Sequence, residues 1–175
     1  MDRIVQILAH TPWWVYALFA YLISRGLRAR KPVTVTLREL ALFPALLTGL
    51  GLVELHRIHG FGPDTLGIWL LALAIGIVLG ILLLRRRAFT VDRAQGVIHR
   101  PTDPTVLPLI LLAFVVKYAF GVIGAMAPDM LQEPAYRVLD IGASGLFAGI
   151  FLGKFGSYVR GYLAAPHGSR PAVSR

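Results

Sequence analysis

The chain has 175 residues, 56% of them hydrophobic and only 15% charged, with a formal charge of +9. A soluble domain usually carries about 25% charged residues, so this balance points to a membrane protein, and the absence of cysteine excludes disulfides, thiol chemistry and cysteine-ligated metals. The basic excess is a topology signal spread over loops, not a nucleic-acid surface, and the partner it implies is the lipid bilayer.

Crossing about 30 Å of hydrocarbon takes about 20 apolar residues, and five stretches qualify, at about 12–26, 39–57, 66–84, 106–127 and 136–158. The expected fold class is therefore all-α integral membrane, with five transmembrane helices. Residues 2–9 read as an interfacial lead-in, and "HTPWW" opens the first span, with Thr11 as N-cap and Pro12 at the first helical position. No small-x-small cleavage site follows, so this segment reads as a span and not as a leader.

The second span carries "ELHRIH" at its end, and Ala41, Ala45, Thr48, Gly49 and Leu52 share one face of it. His56 and His59, three apart, could ligate a metal with His10 if the first two spans are neighbours. No cofactor is otherwise indicated. The third span has a small-residue stripe of Ala72, Gly76 and Gly80. After it, "AFTV" and "VIHR" flank "DRAQG", which predicts a small cytoplasmic β-hairpin at about 88–101.

The fourth span holds the most informative residue. Lys117 interrupts "AFVVKYAFGVIG" near mid-span and shares a face with Ala113, Gly121 and Gly124, which predicts that it points into the bundle. An intramembrane ammonium costs about 2.5–3.5 kcal/mol on insertion scales, and such residues usually face a partner or a cavity and mark function. Glu54 and Asp140 are the available counter-ions, although the helical wheel sets both away from the small-residue faces of their spans. Lys117, Tyr118, Asp140 and Glu54 are therefore the candidate ligand-binding residues. A structural ion pair, a ligand, ion or proton site, and snorkelling or a subunit contact remain open for Lys117.

The fifth span places Gly142, Gly145, Gly149, Gly153 and Gly156 in one seam, for a neighbouring helix or a second copy of the chain. Opposite the seam lie Asp140, Phe147, Phe151, Lys154 and Tyr158, with Lys154 expected to snorkel to the interface. "GASG" around Ser144 resembles the serine motif of rhomboid proteases, but no later span supplies a base histidine, so Ser144 reads as a packing residue. Residues 1–160 form one transmembrane domain in this reading, and 161–175 a mobile cytoplasmic tail.

Thirteen of the 18 basic residues fall in the loops after the first and third spans and in the tail, which sets the N-terminus outside and the C-terminus in the cytoplasm. "RIVQILAHTPWWV", "GLRARKPVTVTLREL", "VDRAQGVIHRP", "FVVKYAFGV" and "GLFAGIFLG" together resemble a family of small bacterial multi-pass inner-membrane proteins catalogued as a domain of unknown function. The resemblance implies a bacterial inner-membrane location and carries no activity or site residues with it. No P-loop, dinucleotide fingerprint or HExxH motif occurs. The function expected is non-enzymatic: binding, or helping to move, a small molecule or ion through a polar pocket centred on Lys117. The alternative is an accessory or assembly subunit of a larger membrane complex, with Lys117 paired to a partner's carboxylate; a metal- or haem-binding enzyme using the histidines is third.

Overall fold

A computed structural model describes residues 20, 24, 33–85, 89–92, 97–100, 103, 105–164 and 172–174. The elements are β1 (Val33–Thr36), α1 (Leu37–Ile58), α2 (Pro63–Arg85), β2 (Phe89–Asp92), β3 (Val97–Arg100), α3 (Val106–Met126), a short 3-10 turn (Pro128–Gln132), α4 (Pro134–Ala164) and β4 (Ala172–Ser174). Four helices among the described residues, α1 to α4, are long and apolar enough to cross a membrane. The expected first span, at about 12–26, lies outside the described residues apart from Ala20 and Ser24, so the described residues carry four spans and not five.

Local chemistry sets the helix ends. Thr36 and Glu39 form a capping box at the start of α1: the Thr36 amide donates to Glu39 Oε2 (2.9 Å) and the Glu39 amide to Thr36 Oγ1 (3.4 Å). Pro44 lies inside α1, where the Thr48 hydroxyl donates to its carbonyl at 2.8 Å. The helix stops at His59, and Gly60 follows at φ +71°, a left-handed position that turns the chain toward α2. Pro63 and Pro134 each occupy the first helical position of α2 and α4, where a missing N–H costs nothing.

Helix α4 is the centre of the bundle. Its 31 residues reach about 46 Å at 1.5 Å per residue, well beyond one hydrocarbon thickness. It packs against α2 along most of its length, less extensively against α1, and least against α3. The contact with α2 is a glycine interface: a Cβ at Gly149 would collide with the Leu73 carbonyl oxygen, one at Gly153 with that of Ile77, and one at Gly76 with that of Leu146. Apolar lipid gives helices little reason to associate through hydrophobicity, so backbone-to-backbone contact of this kind supplies dispersion energy instead. The middle of the expected seam, Gly145, Gly149 and Gly153, thus receives α2 of the same chain, while a Cβ at Gly142 or Gly156 would meet nothing within 4 Å.

Both faces of α4 are used. Asp140, Phe147, Phe151, Lys154 and Tyr158, opposite the glycines, are all buried. Phe43 of α1 meets Phe151 edge-on at 5.0 Å. A Cβ on Gly51 would stand 3.0 Å from Ser144 Oγ, so Ser144 is a packing residue between α1 and α4. The small-residue face expected for α1 is corrected: Pro44, Gly51 and Leu55 are buried, whereas Gly49 is exposed. Exposed apolar side chains such as Leu42, Leu46, Leu50 and Val53 form the outer stripe of α1.

Strands β2 and β3 pair antiparallel, Thr90 opposite His99 and Val91 opposite Ile98. They do not stand as the isolated hairpin expected at 88–101. Strand β1 joins β3 on one side and β4 joins β2 on the other, giving a four-stranded sheet of order β1-β3-β2-β4. A bare two-stranded hairpin is marginal in water, and the flanking strands satisfy its edges. Strand β4 comes from the segment expected as a tail, and α4 runs on to Ala164, past the expected boundary. Ile98, wholly buried, packs with Leu84 and Tyr158 and so fastens the sheet to the ends of α2 and α4.

Candidate functional site

Helix α3 reaches α4 mainly through polar side chains. Of its residues, Leu107 and Ile110 are buried, and a Cβ on Gly121 would meet nothing within 4 Å, so Gly121 of the stripe expected beside Lys117 is open. Three polar contacts hold α3 instead. At one end the Tyr136 hydroxyl donates to the Phe120 carbonyl at 2.5 Å, with the two rings edge to face at 5.2 Å. Near mid-helix Lys117 meets Asp140, and at the sheet end Thr105 meets Lys154.

Lys117 lies between two carboxylates. Its Nζ is 2.6 Å from Asp140 Oδ1 and 3.0 Å from Glu54 Oε2. The second Asp140 oxygen, Oδ2, is 3.1 Å from His59 Nε2. An ionised carboxylate only accepts hydrogen bonds, so beside an ionised Asp140 the His59 Nε2 carries the proton and donates. Asp140 and His59 have side chains only 7% and 4% exposed, whereas those of Glu54 and Lys117 are 40% and 26% exposed. The chain of contacts His59–Asp140–Lys117–Glu54 therefore runs from a closed interior to a half-open flank.

Three helices build this cluster. Glu54 stands one turn before the end of α1, His59 caps that helix, Lys117 is near the middle of α3, and Asp140 lies on the buried face of α4. Two carboxylates against one ammonium leave the cluster at one negative charge with His59 neutral, and at zero with His59 protonated. Close by, Arg137 Nη2 donates to the fully buried Thr65 Oγ1 at 2.6 Å and ties α4 to the start of α2.

Of the residues expected at the site, the structure brings Lys117, Asp140 and Glu54 together, against the helical-wheel argument that set both carboxylates aside. Tyr118 stacks on Phe114 along α3, with ring centroids 6.0 Å apart. The two histidines at the end of α1 go separate ways: His59 turns to Asp140, while His56 is exposed and stacks on Phe61 at 4.8 Å. His10 lies outside the described residues. Among the described residues, no group of three or more His, Asp or Glu is placed to hold a metal ion.

A second ionic site was not anticipated. Lys154, expected to snorkel, is buried and pairs with Asp103 Oδ2 at 2.7 Å, donating also to Thr105 Oγ1 at 2.7 Å. The Asp103 Oδ1 atom accepts from the Thr105 hydroxyl (2.6 Å) and amide (3.1 Å). Burial alone would raise the Asp103 pKa, but the hydrogen bonds from Lys154 and Thr105 and the Lys154 charge outweigh it and hold the carboxyl below its ordinary value. The sequence did offer a signal for this pair: "DPT" just ahead of an apolar run is an N-terminal helix signature, at the depth that Lys154 occupies on α4.

The search among curated proteins and the search among solved structures each found no match. A family model covers residues 2–167 and agrees with the resemblance carried by the "HTPWW" and "FVVKYAFGV" segments. The chain belongs to the family of unknown function DUF6622.

Proposed function

We propose that this is a five-span protein of the bacterial inner membrane that binds, or helps to move, a small molecule or ion at the polar cluster centred on Lys117. The observation that supports this reading is the convergence of Lys117, Asp140, Glu54 and His59 from three helices within otherwise apolar spans. Charges in such a setting are expensive and tend to mark ligand or ion pathways. The half-open flank at Glu54 and Lys117 supports access from one side. In this reading the cluster lies toward the outside, since the Arg-rich segments adjoin β1, β2 and β3 in sequence and the positive-inside rule would keep that end in the cytoplasm. The accessory-subunit alternative loses its specific motive, because Lys117 finds its carboxylates within its own chain.

The test compares the wild type with Lys117→Met and with the triple variant Lys117→Met/Glu54→Gln/Asp140→Asn in detergent. Thermal stability and native mass spectra for retained species are the readouts. Lys117→Met alone strands two carboxylates and is expected to lose stability for that reason, so the triple variant carries the decision. A stable triple variant that has lost a species retained by the wild type supports the reading. A wild type that retains nothing, with a triple variant that unfolds, makes the cluster a structural tie and removes the binding role.

A further inference from the structure

Resting on the binding role proposed above, the geometry points to the class of ligand: we infer that the Glu54–Asp140 carboxylate pair is a site for a small primary ammonium ion, and that Lys117 is its tethered competitor. The sequence alone left room for an anion held by the lone lysine. The structure reverses that charge balance. One ammonium is already shared by two carboxylates, at 2.6 and 3.0 Å, so an anion entering here would meet two carboxylates and a lysine with two of its three donors engaged.

What the pair holds is itself a primary ammonium. The Lys117 group is a compact point charge with three donors on a flexible four-carbon stem, and two of its donors are directed at Asp140 Oδ1 and Glu54 Oε2. Nothing in the position of the two oxygens requires that the ammonium be attached to α3. A free ammonium of the same size could take the same two contacts, releasing Lys117 through the partly open side at Glu54. The charge of the cluster is unchanged by the exchange if the lysine leaves as an ammonium, and the ligand keeps every hydrogen bond the lysine gives up.

The rest of the cluster suits this exchange. Asp140 is kept in place by His59 on its other oxygen, so it does not swing when Lys117 departs. Glu54, on the more exposed side, is the carboxylate that an incoming cation meets first. Among the described residues no group of three or more His, Asp or Glu is placed to hold a metal ion, and two carboxylates fall short of the six or more oxygens a calcium ion takes. A single positive charge with N–H donors fits better.

The three lysines of the chain, Lys31, Lys117 and Lys154, make the test direct. Protein carrying 13C at lysine Cε gives one NMR signal for each, assigned by single Lys→Arg replacements, and is titrated in detergent at constant pH and ionic strength. Methylammonium chloride is the ligand probe, sodium chloride and choline chloride are the cation references, and choline acetate and choline phosphate are the anion arms. The expected result is a saturable shift of the Lys117 signal with methylammonium only, with the Lys154 signal unmoved and the response lost in Glu54→Gln. An equal shift with sodium overturns the ammonium class, and an undiminished response in Glu54→Gln overturns the carboxylate pair. A response to acetate or phosphate alone overturns the inference but leaves Lys117 as a binding centre. No response to any arm overturns this inference, while the binding role stands or falls separately on the species retained by the wild type and lost in the triple variant. If Glu54→Gln does not fold, the wild-type arms still decide.

Discussion

Asp140 and Lys154 lie on one buried face of α4, about four turns and about 21 Å apart, and each engages α3 or the segment leading into it. Opposite charges on the central helix thus hold the same neighbour at two depths. Helix α2 is held quite differently, by glycine-to-backbone contact along the other face. One neighbour is packed and the other is clasped, which makes α2–α4 the rigid pair and α3 the helix whose position depends on charge.

The packed face should be intolerant of any side chain. Gly149→Ala puts a methyl group into the Leu73 carbonyl oxygen, which α2 can relieve only by moving away. A loss of about 1–3 kcal/mol is expected, as for other overpacked sites. Gly142→Ala, where nothing lies within 4 Å, should leave stability almost unchanged. Thermal unfolding of the two variants in one detergent checks the contrast; equal losses would mean that α2 does not seat against the seam.

Within the Lys117 cluster the two carboxylates should not be equivalent. Asp140 is buried and serves both Lys117 and His59, whereas Glu54 is half-exposed and, among the described residues, serves Lys117 alone. Asp140→Asn should therefore destabilise the protein more than Glu54→Gln. Breaking a buried ion pair from one side typically costs about 3–5 kcal/mol, and an exposed one about 0–1 kcal/mol. Denaturation of the two single variants and of the double variant gives the ranking and the coupling through Lys117.

The sheet-end pair should make stability depend on acid. The folded-state pKa of Asp103 is depressed below its ordinary value of 3.8 by Lys154 and Thr105, after burial has pushed the other way. A depressed carboxyl contributes stability that is present in full above the unfolded value, and that is lost as pH falls through the folded one. The loss should therefore appear in a window below about pH 3.8 and be absent in Asp103→Asn. Unfolding midpoints across that range check it. Replacing both partners, Asp103→Leu with Lys154→Met, should recover much of what either single change loses, since neither charge is then stranded.

Much of the framework is legible in the residues. The ends of α1, α2 and α3 and the start of α4 fall close to the apolar runs, because capping groups, prolines and loop arginines mark them, whereas α4 runs on to Ala164 past its run. The stripes Gly76–Gly80 and Gly145–Gly149–Gly153 could be recognised as helix-contact surfaces by their spacing. The faces of α1 and α3 could not. A wheel drawn on Gly49 or Gly121 assumes that small residues face inward, and here both are open because α1 and α3 dock through Gly51 and Leu55 and through polar side chains instead. The sheet is a similar case: "AFTV" and "VIHR" read as strands, but their partners β1 and β4 come from segments distant in sequence.

Composition and local pattern, then, determine that this chain belongs in a bilayer, where its helices begin and end, and that Lys117 needs a counter-charge, because hydropathy, capping and desolvation act over one or a few turns. Which carboxylates answer Lys117, that His59 steadies Asp140, and that Lys154 is an ion-pair partner of Asp103 are decided only when α4 is set at the centre. An ionic contact reaches about 3 Å, and groups as far apart in the chain as Glu54 and Lys117 come within that reach only once three helices have packed.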